Sequence, residues 1–415
     1  METSNVIQVV EHELWMLTTV FIFGIVAMKI SEKFRIPDVA LFMIVGMLIG
    51  PSGLHLVLEP GDSLSNQFII MLGSILILFD GGRGIDVSIL KKVWVTITLL
   101  AVPGVIVTAV VVGVAAHYVF HIPLLYAFLI ASIIASTDPA TLIPVFKQVK
   151  IKESVRQTVE SESAFNDATG SILTFTVLGM IMSHSEFSLG SGVREFVVQA
   201  GGGLLVGALI GAIGLLLKSK HPLGFFQSHA QLVGALMAIG SYLFASSIGA
   251  SGFMATFTAG VFSGNPKIFK LEIHEKATEH LQYFGETFSL IMRTLIFMLL
   301  GTQVNFTVLM KYGWKGLLLI LIFMFIARPL TVLICALPDR LAKWSWKDIL
   351  FMFWVRETGV IPAALSGMIV ATGIQYGDII SSVTFLAILI TILVQASTTG
   401  FVAKKLGLVL QEKNH

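Results

Sequence analysis

The chain has 415 residues and a formal net charge of +2, with 55% hydrophobic and 13% charged residues and a mean hydropathy of +0.88. Soluble domains carry about 25% charged residues, so a soluble enzyme and a nucleic-acid-binding domain are both excluded. A polytopic all-α protein embedded in a lipid bilayer is implied, and its single cysteine, Cys335, excludes an intramolecular disulfide.

A helix needs roughly 20 apolar residues to cross the hydrocarbon core. In chain order the apolar runs fall at 14–30, 38–57, 67–83, 94–118, 123–146, 159–183, 196–217, 229–247, 250–264, 284–304, 315–337, 348–371 and 379–402, which gives about 13 transmembrane helices. Glu2, Glu11 and Glu13 precede the first run, where a signal peptide would be basic, so that run is read as a retained span. Basic residues such as Lys29, Lys33, Lys91, Lys92, Lys147, Lys150, Lys152, Lys218, Lys267, Arg340, Lys404 and Lys405 fall on one side, and only Arg194, Lys311 and Lys315 on the other. The rich side is cytoplasmic by the positive-inside rule. The N-terminus is then outside and the C-terminus inside, as an odd number of spans requires, and a plasma or inner membrane is expected.

Function is sought where ionisable groups enter the bilayer, because such groups are costly there. Asp80 closes the third span, and Asp138 interrupts the fifth within "ASTDPATLIP". Pro139 removes a donor and disfavours helical geometry at Asp138, so the fifth helix is expected to break. Breaks of this kind build midplane ion sites in secondary transporters. Thr137 offers hydroxyl and carbonyl oxygens to a cation, and Asp138 can face the positive end of the following half-helix.

The sixth span opens with "ESESAFNDATG". Steps of about 100° per residue place Glu160, Ser163, Asp167, Gly170 and Thr174 on one stripe, with Glu162, Asn166 and Thr169 on its neighbour. The first stripe offers hard oxygen ligands around a small void, the kind that alkali and alkaline-earth cations prefer. The second offers an acid and an amide suited to bracing another helix. Glu162 is expected to form a buried ion pair with one of the arginines Arg293, Arg328 or Arg356.

In the seventh span Gly203, Gly207 and Gly211 have the small-xxx-small spacing of a helix-packing face. The twelfth span, "FWVRETGVIPAALSG", places Arg356 and Glu357 before Gly359 and Pro362, and so predicts a second break. Taking span seven as a linker, residues 1–183 and 229–402 form two halves of six spans, with 184–228 between them and a short tail at 403–415. The fifth and twelfth spans then correspond, and because the halves start on opposite sides the repeat is inverted.

"ASTDPAT", "ESESAFNDATG" thirty positions further on, "IARP" and "VRETGVIPAAL" together resemble the sodium/proton antiporters of the NhaP and NHE kind. The resemblance covers essentially the whole chain. It implies a homodimer of inverted-repeat protomers, each with a dimerisation region and a six-helix core in which two unwound spans cross. It implies Asp167 as the residue that binds cation and proton alternately, Asn166 bracing the crossing, and Ser163 and the Thr137 backbone as further cation ligands. Glu162 would pair with Arg356, and Asp80 would lie near the ion path. "RETG" departs from the common arginine-glycine of the family and leaves Glu357 without an implied role, as Arg293 is.

The expected activity is exchange of a monovalent cation, Na+ with Li+ or K+ as alternatives, for H+ by alternating access, with no cofactor. Asn166 precedes Asp167 where relatives with net charge movement have a second aspartate, so one-for-one, electroneutral exchange is expected. Glu160 and Asp80 are the acids that could add a proton. The rival readings are a K+/H+ antiporter, an ion channel and, remotely, an intramembrane hydrolase using Asp138 and Asp167.

Overall fold

The computed structural model describes residues 2–34, 36–58, 63–183 and 189–409. The chain is all-helical. It runs through α1 (Glu2–Phe34), α2 (Asp38–Ile49), α3 (Leu64–Arg83), α4 (Val87–Ala101), α5 (Pro103–Phe120), α6 (Leu124–Ala135), α7 (Pro139–Gln148), α8 (Glu153–Ser183), α9 (Leu189–Phe196) and α10 (Gly202–Lys218). It continues through α11 (Ala230–Ser247), α12 (Gly252–Gly264), α13 (Glu275–Thr302), α14 (Phe306–Ile322), α15 (Arg328–Ala336), α16 (Trp346–Trp354), α17 (Val360–Ala371), α18 (Gly377–Ile390) and α19 (Ser397–Leu406). Single π turns at Val197–Gly201, Phe323–Ala327 and Thr391–Ala396 join α9 to α10, α14 to α15 and α18 to α19.

Eight helical stretches among the described residues are long and apolar enough to cross a membrane, and Asp38–Ile49, Leu124–Ala135 and Val360–Val370 are shorter apolar helices. The expected count of thirteen is therefore not reached on length and hydropathy. The physical reason lies in the sequence: α6 and α7, and α16 and α17, are halves of broken spans, and α8 carries acids and hydroxyls through its first four turns. The boundary of the first half at residues 183 and 184, and tail residues 410–415, fall at or beyond the edge of the described residues.

Packing sorts the helices into two groups that do not follow the two sequence halves. α1, α2, α3, α10, α11, α12 and α13 pack on one another. In the second group α5 packs on α6, α4 and α6 on α8, α14 and α17 on α18, and α15 on α4, α5 and α16. Each group thus takes helices from both halves, and the second contains the two broken spans and α8.

Close backbone approach holds the first group together. A side chain at Gly207 would run into the Ala255 carbonyl, and one at Gly203 would come within 2.8 Å of the Ser251 carbonyl oxygen, so the small-residue face of α10 is seated directly on α12. Between the groups, at the end remote from the lysine-rich loops, lies a cavity of about 820 Å³ lined by Gln67, Thr302 and Gln303 on one side and Ala363, Gly367 and Phe385 on the other. At the lysine-rich end the groups touch: Gly81 of α3 meets Ile143 of α7, and the Phe165 and Phe257 rings meet edge to face at 5.6 Å.

Candidate functional site

The breaks cross each other. α6 stops at Ala135 and α7 starts at Pro139; α16 stops at Trp354 and α17 starts at Val360. Each break exposes one carbonyl end and one amide end in the protein interior, where unsatisfied backbone groups are expensive. The two strands of non-helical chain bond directly, the Asp138 amide donating to the Glu357 carbonyl at 2.9 Å.

Side chains satisfy the remaining ends with matching charge. Asp138 Oδ2 accepts from the Val360 amide of α17 at 2.9 Å and from the Thr141 hydroxyl at 3.1 Å, so one carboxylate serves the positive N-terminal ends of α7 and α17. Gly359 makes this possible, because a side chain there would overlap the Asp138 carboxylate. At the negative ends stand arginines. Arg356 donates to the Ala135 carbonyl at the end of α6, with its guanidinium 5.1 Å from the Phe323 ring centroid. Arg328 donates to the Met352 and Val355 carbonyls of α16 at 2.8 and 3.2 Å, while Gln395 takes the Trp354 carbonyl at 2.6 Å.

The expected pairing of Glu162 with Arg356 is corrected here. Glu162 is bound by Arg328, Nη1 to Oε1 at 2.5 Å and Nη2 to Oε2 at 3.0 Å, both side chains being buried. Arg356 is committed instead to the α6 carbonyl end and the Phe323 face. Arg328, leaving the π turn at 323–327, presents its fork to α8 while its other hydrogens reach α16.

Against this crossing lies the ion-facing stripe of α8. Asn166 Oδ1 accepts from the Thr137 amide at 3.1 Å and its Nδ2 donates to Thr137 Oγ1 at 2.8 Å, and Thr137 Oγ1 donates to Ser163 Oγ at 2.9 Å. Gly170 lets Ser136 approach, since a Cβ there would lie 2.8 Å from the Ser136 Cβ. The structure therefore brings Thr137, Asn166, Ser163 and Asp138 together at the break. Asp167, 1% exposed, lies among them with neither carboxylate oxygen hydrogen-bonded, and Ser136 Oγ is likewise buried without a partner. Ser136 escaped the sequence reading because a serine ending an apolar helix carries no distinguishing signal.

The other acids are held. Glu160 accepts from Arg156 at 3.1 Å on both oxygens, and Arg156 also binds Glu153 and the Gly84 carbonyl. Asp80 stands in a different setting from the Asp167 cluster: its Oδ1 is paired with Arg83 at 3.1 Å, and Ser289 Oγ of α13 lies 3.5 Å from Oδ2. Arg293 pairs with Asp38 at 3.0 Å, joining α13 to the start of α2. Asp38 reads in sequence as an ordinary helix-starting acid after Pro37, which hid that pair.

A buried carboxylate without hydrogen bonds, one helical turn from Ser163 and from the Gly170 against which Ser136 packs, can take either a proton or a small hard cation, but not both. That is the chemistry of exchange. Residues 17–405 match the family model described as sodium/hydrogen exchanger, transmembrane. The chain is 32% identical over 415 residues to Na(+)/H(+) antiporter 1 of Methanocaldococcus jannaschii, covering 93% of each chain. It is 29% identical to the K(+)/H(+) antiporter NhaP of Alkalimonas amylolytica, over 95% of this chain and 67% of that one. The solved structure of the sodium proton antiporter MjNhaP1 from M. jannaschii at pH 8 superposes with a TM-score of 0.76 at 30% identity, covering 94% of this chain and 97% of that chain. The chain belongs to the sodium/hydrogen exchanger family of membrane antiporters.

Proposed function

We propose that this antiporter exchanges Na+ for H+ through Asp167, which holds the two substrates by turns. The observation that carries this reading is the Asp167 carboxylate: buried, without a hydrogen bond, and beside Ser136, Ser163 and the broken backbone at Thr137. With the cation bound, Asp167 is ionised and the hydroxyls and the Thr137 backbone complete its shell. With the proton bound, the neutral acid needs no counter-charge. Either form is neutral enough to move through the bilayer, whereas the bare carboxylate is not.

The lysine-rich end is placed in the cytoplasm by the positive-inside rule, in a plasma or inner membrane, with the N-terminus outside. The cavity between the helix groups then opens to the outside, and the packed seam at Gly81, Phe165 and Phe257 closes the cytoplasmic side. Alternating access is a sliding of the group that holds the crossing against the group that holds α1 to α3. The two groups take helices from both sequence halves, which supports an inverted repeat, and the first group supplies the surface for a homodimer.

With Glu160 and Asp80 each tied to an arginine, Asp167 exchanges one proton for one monovalent cation. Oxygen ligands suit Na+, Li+ and K+, and relatives are named for both Na+ and K+. The test is exchange in proteoliposomes with a pH-sensitive dye while each cation is added in turn. Proton flux driven by Na+ and Li+ supports the reading, flux with K+ alone assigns a K+/H+ antiporter, and no flux with any of them contradicts it.

A further inference from the structure

α6 and α8 meet along two rungs of small, hydroxyl-bearing residues. Ser132 and Ser136 stand four residues apart on α6 and its last cap, and Gly170 and Thr174 stand four apart on α8, a spacing that stacks residues on one helix face. At the rung farther from the break the Thr174 hydroxyl donates to Ser132 Oγ at 3.1 Å, and Ser132 donates in turn to the Leu129 carbonyl at 2.9 Å. At the rung beside the break Gly170 faces Ser136, where a Cβ on the glycine would lie 2.8 Å from the Ser136 Cβ. All four residues are buried.

The second rung fixes the distance across the ion site. Asp167 precedes Gly170 by three residues, one turn along the same face of α8, so the serine packed on Gly170 is held at the next turn from the carboxylate. The Ser136 hydroxyl and both Asp167 oxygens are buried without a hydrogen-bond partner, atoms that a dehydrated cation would satisfy. Thr137, Ser163 and Asn166, in contrast, are already bonded to one another. Carbon atoms in contact rest about 3.5 to 4.0 Å apart, so a methyl group at position 170 would push Ser136 back by about 0.7 Å. That step exceeds the difference in radius between Na+ and K+.

We propose that Gly170, braced by the Thr174–Ser132 hydrogen bond, is the size filter of the cation site and sets the exchanger for Na+ and Li+ over K+. This rests on the reading of Asp167 as the exchanged carboxylate. Gly170 offers no ligand; it is a positioning residue that acts through Ser136. With α6 drawn onto α8 as closely as a glycine permits, the oxygens on the two helices close on a small ion. A K+ ion needs them farther apart, and cavity size and rigidity then decide between cations. A glycine that served packing alone, as Gly203 and Gly207 do against α12, would alter stability and leave the order of cations unchanged.

The test is the apparent KM for Na+, Li+ and K+ in proteoliposomes, with the melting temperature of the purified protein titrated with NaCl, LiCl and KCl as a binding readout free of transport. In the wild type Na+ and Li+ should act at lower concentration than K+. Gly170→Ala should lower the ratio of K+ to Na+ KM by about tenfold, the worth of one charge-assisted ligand contact. Thr174→Val keeps Gly170 and the branched side chain but releases the brace, while Ser132 retains its bond to Leu129; its ratio should move the same way by less. Thr174→Ser, which restores the hydroxyl, should keep the wild-type ratio. Should Gly170→Ala not fold, the comparison of Thr174→Val with Thr174→Ser decides in the same way. A wild type that prefers K+, or variants that lose stability but hold the wild-type ratio, overturns the filter while leaving Asp167 in place. Sodium-driven exchange that survives in Asp167→Asn overturns the underlying reading instead.

Discussion

Glu162 and Arg328 form a two-pronged, wholly buried ion pair between α8 and α15, with nitrogen-to-oxygen distances of 2.5 and 3.0 Å. Through the same guanidinium α8 is tied to the end of α16. One arginine thus joins the ion-facing helix to the second broken span. Removing one partner of a buried pair costs roughly 3 to 5 kcal/mol, because a lone charge stays behind. Glu162→Gln and Arg328→Gln should each lower the melting temperature, and the double variant should lose less than the sum. The same cycle with Arg356→Gln should be close to additive, since Arg356 serves α6. Coupling of Glu162 to Arg356, and none to Arg328, in detergent-solubilised protein would contradict the pairing.

Asp138 anchors the crossing through the amide of Val360 and the hydroxyl of Thr141. Asp138→Ala leaves the Val360 amide at the start of α17 and the Thr141 hydroxyl without their acceptor, each buried unsatisfied donor costing about 1 to 3 kcal/mol. Asp138→Asn keeps an acceptor and loses only the charge term at the helix starts, so it should be the milder change. Gly359→Ala should resemble Asp138→Ala, because the added methyl overlaps the carboxylate. Thermal melts of the three variants check the order; a Gly359→Ala protein as stable as wild type would show that the crossing is built otherwise.

Ser163→Ala and Ser136→Ala each remove one oxygen near Asp167. A contribution of about 1 kcal/mol per ligand corresponds to roughly a fivefold loss in affinity. The apparent KM for the cation should rise by that order while the maximal rate changes less. Ser163→Ala also strips the Thr137 hydroxyl of its acceptor, so its effect should be the larger. Unchanged KM values in both would place the cation elsewhere.

Much of this site is legible in the sequence. Pro139 and the Gly359, Pro362 pair mark both breaks, because proline and glycine act on the backbone locally. The stripe of Ser163 and Asp167, with Asn166 on the stripe beside it, follows from periodicity alone. What stays hidden depends on three-dimensional choice. Three arginines are open to Glu162 in the sequence, and the fold gives it Arg328, with Arg293 paired to Asp38 and Arg356 turned to the Ala135 carbonyl. Glu357 read as one of a charged couplet beside Arg356, and its isolation becomes visible only once Arg356 is seen turned to α6. The run at 94–118 reads as one span, and in the structure it lies within one apolar stretch, Val87–Phe120, in which α4 passes into α5 at Val102 with Pro103 at the first turn of α5. The first span reads as 14–30, but α1 extends over Glu2–Phe34, since polar flanks continue a helix that hydropathy cannot follow.

One-for-one exchange depends on Glu160 staying bound to Arg156. The equilibrium proton gradient in proteoliposomes should then be the same at zero and at large imposed potential. Arg156→Gln frees Glu160 on the same stripe as Asp167, and should make that gradient respond to potential. A wild-type gradient that already follows the potential would contradict electroneutral exchange.

The most direct test of the account is cation-driven proton flux in proteoliposomes containing Asp167→Asn, with folding verified by its melting temperature. Asparagine fits the same space but can neither release a proton nor offer an anion to a cation. The account predicts that flux falls to the level of protein-free liposomes while the melting temperature stays at or above that of wild type, because a buried acid whose ionised form is costly has been replaced by a neutral group of the same shape. Sodium-driven flux at the wild-type rate in this variant would contradict it.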